Sequence, residues 1–184
     1  MTSQPVRQID VSMDEPFQKD ISEEWVTMAA DCALRAALPA SEPGQVSLLV
    51  TDDATVRELN RKFRGVDEVT DVLSFSTTYP GHWEGEAEAP DDQYLKPGDP
   101  FSPPFILPPD EPPPLGEVII SYPQAHRQAQ GRNEPVEREL ALLIVHGVLH
   151  LVGHDHLNPE DTPLMQAKEQ AALEALFQAG TRSP

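Results

Sequence analysis

The run HGVLHLVGHDH, residues 146–156, holds four of the chain's six histidines. His146 and His150 lie four apart, so on a helix their rings leave one face about 6 Å apart along the axis. Two imidazoles placed this way can share one zinc ion at about 2.0–2.1 Å. His154 is a poor third ligand, because a continuing helix would carry it about 12 Å from His146. Gly153 instead lets the helix end in a left-handed turn, which brings His156 round and leaves His154 as a surface or pocket-wall residue. The predicted ligand set is His146, His150 and His156, holding one zinc ion. A histidine pair four apart is common by chance, whereas three with a glycine between the second and third are not. Three nitrogen ligands leave the fourth position open, as in catalytic rather than structural zinc sites.

The same spacing occurs in metzincin proteases, H-E-x-x-H-x-x-G-x-x-H, but Gly147 stands where that pattern needs its glutamate base. Peptide hydrolysis is demoted accordingly. Asp155 has two equal readings: it orients a ligand histidine by accepting its second ring proton, or it caps an exposed turn.

Around this run the chain reads as alternating strands and helices. Residues 5–12 and 45–51 suit strands, and 22–38 suits an amphipathic helix with Trp25, Met28, Ala29, Cys32 and Ala36 on its packed face. Asp52 and Asp53 open a helix through Phe63, with Val56, Leu59 and Phe63 on one face. Strands follow at 70–75 and 116–121, then a short helix at 122–130, a helix from 134 to 152 carrying the first two ligands, and a last helix over 159–179. The fold class is α+β: one domain over 1–184, a small mixed β-sheet packed with helices, and the three-histidine site at the end of a central helix.

Residues 77–115 break this pattern. Eleven of the chain's twenty prolines and eight acids against the single Lys96 fall within 79–114. Such a stretch buries too little apolar surface to offset the entropy of ordering, and reads as an irregular insertion between two strands. It supplies −7 of the net charge of −18. Against that acidity Arg57, Arg61, Lys62 and Arg64 crowd into eight residues. On charge alone they are a solvated helix face. No apolar run reaches the length of a membrane span, the N-terminus has no secretory pattern, and Cys32 has no second cysteine to pair with; together these fit a cytoplasmic protein.

HGVLHLVGHDH, with LNRKFRGVDEVTDVLSF (59–75) and GEVIIS (116–121), resembles the YbeY family of metal-dependent, single-strand-specific endoribonucleases. The likeness runs from about Val46 to Phe177, apart from the insertion, which is longer than the family's usual link. The resemblance implies zinc on His146, His150 and His156, maturation of the 3′ end of 16S ribosomal RNA, and a cytoplasmic enzyme working with ribosomal particles in ribosome biogenesis. It also places the family's arginine at Arg64, which can pair bidentately with a phosphate and stabilise charge developing in phosphoryl transfer. The competing reading of Arg64 is a salt bridge to Asp67, Glu68 or Asp71. RNA affinity in so acidic a chain must rest on a local basic groove formed by Arg57, Arg61, Lys62 and Arg64. The rival functions are a zinc peptidase or other metallohydrolase, and a non-catalytic ribosome-assembly factor braced by zinc.

Overall fold

The computed structural model describes residues 6–79, 111–154 and 161–180, with side chains through 178. Four strands form one sheet in the order β1-β2-β4-β3. Strand β1 (Arg7–Met13) pairs parallel with β2 (Gly44–Thr51), and β2 pairs parallel with β4 (Pro114–Ser121). Strand β3 (Val72–Ser76) runs antiparallel along the outer side of β4, Val72 opposite Ile120 and Ser76 opposite Gly116. Five helices join and cover the strands: α1 (Glu23–Ala37), α2 (Asp53–Arg64), α3 (Tyr122–Arg132), α4 (Val136–Leu151) and α5 (Thr162–Gly180). The mixed sheet and the helix order are those expected of the α+β reading. Strand β4 begins at Pro114, inside the stretch assigned to the insertion, because Gln45 N bonds to Pro113 O and carries the ladder further back. Residues 80–110 of that stretch lie outside the described residues. No helix among the described residues is long and apolar enough to cross a membrane.

Side chains alternate across a strand, so the sheet has two dissimilar faces. Val46, Leu48, Val50, Val118 and Ile120 join the main core with α1, α4 and α5. On the opposite face Leu73 and Ile119 pack with Val56, flanked by Leu49, Leu59 and Phe75 under α2. Helix α4 is buried nearly all round, from Leu140 through Leu151, as befits a helix enclosed by neighbours. The α1 expectation needs correction: its fully buried stripe is Val26, Ala29, Ala30, Ala33 and Leu34, while Trp25, Met28, Cys32 and Ala36 are only partly buried. Packing against both α4 and α5 rotates the buried stripe from the one the apolar pattern suggested. Burial, with Asp31 beside it, pushes the Cys32 thiol up, consistent with an inert structural role.

Phe63 also departs from expectation. It is 50 % exposed rather than packed with Val56 and Leu59. It lies at the last turn of α2, where the sheet ends, and its ring meets the edge strand edge-on to Phe75 at 5.2 Å.

Candidate functional site

The site is built from the C-terminal half of α4. Gly147 brings this helix onto the sheet: a Cβ there would lie 2.6 Å from Val118 Cγ1 and 3.2 Å from Ser74 Oγ. His146 and His150 leave α4 from the flank beside that contact. The helix ends as the glycine predicted. Gly153 has φ +86°, its N–H bonds to His150 O, and His154 N–H bonds to Leu149 O, each at 3.1 Å. These are the paired bonds of a Schellman motif, which satisfies carbonyls the helix would leave open. The Tyr79 ring covers Gly153 so closely that a Cβ would come within 2.5 Å of it.

The two imidazoles converge. Their centroids are 4.5 Å apart with planes at 77°, and the Nε2 atoms face each other at 3.0 Å. Two nitrogens bound tetrahedrally to one ion at about 2.05 Å stand about 3.3 Å apart, so the pair needs a shift of only a few tenths of an ångström to share a metal. Behind His146, Glu169 Oε1 of α5 lies 2.7 Å from Nδ1. The donor chemistry fits zinc: two imidazole nitrogens, one of them backed by a carboxylate. Among the described residues no three His, Cys, Asp or Glu side chains gather as a metal site. The structure thus brings together His146 and His150 of the predicted three; His156 and Asp155 lie outside the described residues. His154 is turned towards the end of α1. Burial and the Lys168 ammonium push its pKa down, while the Ala37 carbonyl and Asp161 oppose them.

The sequence pattern missed Glu169, although a signal was present. It falls on the inward stripe Met165, Glu169, Ala172, Leu176, where Met165, Ala172 and Leu176 are each no more than 3 % exposed. An acid at heptad spacing among buried positions needs a partner. Beside His146 opens a cleft of about 500 Å³ lined by Asp71, Arg132, Glu139, Gln166 and Glu169. Glu139, 3 % exposed, pairs there with Arg132.

The basic cluster sits on the last two turns of α2. Its helix starts as expected, Asp52 accepting from Thr55 N at 2.8 Å, and ends at Gly65 with φ +76°. Asp67 answers to Arg57, with Nε–Oδ1 at 2.8 Å and Nη2–Oδ2 at 3.2 Å. Asp67 is held below the usual carboxylate range chiefly by that hydrogen bond. Of the three acids weighed as partners for Arg64, Asp67 is thus engaged by Arg57. Asp71 accepts from its own neighbour Val72 N at 2.8 Å and from Gln128 at 3.1 Å. Asn60 fastens the following loop by donating to Glu68 O at 2.9 Å. Lys62 lies over the exposed Phe63 ring at 5.1 Å.

Strand β3 separates the two groups. Ser74 and Ser76 face α4, whereas Leu73 and Phe75 face α2. Arg64 and the histidine pair therefore belong to helices on opposite faces of the sheet, near the same edge.

Fold and site together define a small α+β domain presenting a carboxylate-braced histidine pair at the end of a buried helix. The family model described as Endoribonuclease YbeY matches residues 8–177. Proteins named endoribonuclease YbeY from Roseiflexus castenholzii and Roseiflexus sp. are similar: the first is 44% identical over 169 residues, covering 91% of this chain and 92% of its own; the second is 38% identical over 171 residues, covering 92% and 93%. The chain belongs to the endoribonuclease YbeY family. A solution structure of a Thermotoga maritima protein shares the fold, with TM-score 0.56 at 20% identity over 96% of this chain and 94% of its own.

Proposed function

We propose that this chain is a zinc-dependent, single-strand-specific endoribonuclease that matures the 3′ end of 16S ribosomal RNA, in the cytoplasm and on ribosomal particles. The observation that carries the reading is the 3.0 Å convergence of His146 and His150 Nε2 within a chain of this family. His146, His150 and His156 would hold the ion. Zinc, when bound, supplies a Lewis acid that polarises a phosphoryl oxygen or acidifies a water. Arg64 holds the scissile phosphate and stabilises its developing charge. Arg61 and Lys62 track neighbouring phosphates, and Arg57 joins them when it leaves Asp67.

A zinc peptidase is disfavoured by geometry as well as by residue type, because a side chain at position 147 would run into Val118. The test is zinc analysis together with cleavage of labelled single-stranded ribosomal RNA by wild type, His150→Ala and Arg64→Ala. Loss of cleavage in both variants is expected. Equal cleavage by all three sinks the nuclease reading, and a folded, zinc-replete wild type that cuts nothing favours the assembly factor.

A further inference from the structure

Two adjacent residues of α5 reach different parts of the molecule. Lys168 Nζ donates to the carbonyls of Ala36 at 2.9 Å and Ala37 at 3.4 Å, at the C-terminal turn of α1. Open carbonyls and the negative end of the helix dipole make that turn a natural seat for an ammonium. The next residue, Glu169, is 17 % exposed in its side chain and meets His146 Nδ1. At 2.7 Å the Glu169 carboxylate is placed to accept a hydrogen bond from His146 Nδ1, since a carboxylate without a proton only accepts. A neutral imidazole has one N–H, and with that proton on Nδ1 its Nε2 carries the bare lone pair. That Nε2 is the atom facing His150.

We propose that Glu169 is a positioning residue for the histidine site: it holds the His146 proton on Nδ1 and aims Nε2 at the metal, while Lys168 locks α5 in the register this requires. The proposal rests on the reading of His146 as a zinc ligand. Its rival is a plain ion pair between Glu169 and a protonated His146 that merely helps dock α5. The two differ in what they require. An ion pair needs the imidazolium, whereas the tautomer lock operates on the neutral ring and is felt by an incoming metal.

The test uses the full chain freed of metal by chelation. Nitrogen NMR of His146 at pH 8, above the ordinary histidine range, reads the tautomer, and competition against a chelator of known strength reads zinc affinity. The wild type should carry the proton on Nδ1. Glu169→Gln keeps the shape and removes the charge, and should weaken zinc binding by about 10–100-fold. Glu169→Ala should do the same and also divide the His146 proton between both nitrogens. Lys168→Met should produce a smaller loss of affinity, and an unchanged affinity removes Lys168 from the proposal. Zinc affinity within twofold of wild type in both Glu169 variants, with the His146 tautomer unmoved, overturns it. Should Glu169→Ala not fold, by circular dichroism, Glu169→Gln decides alone. A zinc-loaded wild type that leaves RNA intact, while the Glu169 effects persist, defeats the nuclease reading and leaves this one standing. If His146→Ala binds zinc as wild type does, His146 is not a ligand and the proposal falls with that premise.

Discussion

Ser76 Oγ donates a 2.8 Å hydrogen bond to the main-chain carbonyl of Leu151, tying the end of edge strand β3 to the last residue of the histidine helix. That carbonyl is one of those a helix end cannot satisfy internally. The same hydroxyl accepts from the N–H groups of Thr78 at 3.2 Å and Tyr79 at 3.1 Å, just before Tyr79 covers Gly153. One side chain thus joins the strand edge, the helix end and the chain leaving the sheet. Ser76→Ala should lower stability by about 1 kcal/mol, the net value of a part-buried hydrogen bond, read from urea unfolding. Because His150 lies in the same final turn, zinc affinity should fall as well. A variant matching wild type in both measurements would show that the link has no such role.

Gly147 yields a second prediction, and here the structure alters what the sequence pattern suggested. Its lack of a side chain does remove a peptidase base, but its immediate physical task is close approach of α4 to the sheet. Gly147→Ala places a methyl 2.6 Å from Val118 Cγ1. Overpacking of this kind costs about 1–3 kcal/mol, more than the gain in helix propensity of about 1 kcal/mol from replacing glycine. The alanine variant should therefore unfold at lower urea. Gly147→Glu, which restores the peptidase pattern, should be less stable still and acquire no activity on casein. Casein cleavage by a folded Gly147→Glu protein would reopen the peptidase reading.

The contrast between local and distant features explains how much could be read beforehand. The Asp52 cap, the left-handed Gly153 and the presence of strands at β2 and β4 depend on a residue and its near neighbours, so composition and period suffice. The pairing of His146 with Glu169 spans 23 positions, and that of Arg57 with Asp67 spans ten. Such partners are chosen by how whole elements dock, which no local pattern records. Phe63 shows the same limit from the other side. Its position on α2 is right for burial, but the sheet beneath α2 ends at β3, so the ring meets Phe75 and stays half exposed.

The Arg57–Asp67 pair leads to a prediction about RNA binding. Binding to single strands falls with salt by a slope of about −0.7 per phosphate contact on logarithmic axes. If Arg61, Lys62 and Arg64 hold phosphates as proposed, the expected slope is about −2 while Arg57 stays with Asp67. Asp67→Asn removes the carboxylate that draws Arg57 aside, and should steepen the slope to about −3 and tighten binding at low salt. Fluorescence anisotropy with a single-stranded oligoribonucleotide, titrated over a range of potassium chloride, measures both. An unchanged slope would mean that Arg57 takes no part in holding RNA.

Glu139 sets a pH dependence that can be isolated from the rest. It is 3 % exposed, beside the cleft at His146, and paired with Arg132. Burial raises its pKa above the ordinary 4.5, Asp71 and Glu134 push the same way, and Arg132 opposes them. The folded protein therefore holds this proton more tightly than the unfolded chain does. Stability from this group is fully present below pH 4.5 and is lost as pH rises through the folded pKa. Asp52, Asp53 and Asp67 act in the opposite sense. Their folded values lie below 3.8, so the stability they confer is present above that pH and is lost only as pH falls through the lowered values. The two windows do not overlap. Glu139→Gln should thus flatten the decline in stability from pH 4.5 towards neutrality and leave the acid limb below pH 4 unchanged. Arg132, whose side chain is 52% exposed, can be solvated by water when its partner loses its charge. Urea midpoints measured for both proteins across this range decide the matter. Parallel curves above pH 4.5 would show that Glu139 is ionised at no cost to the fold.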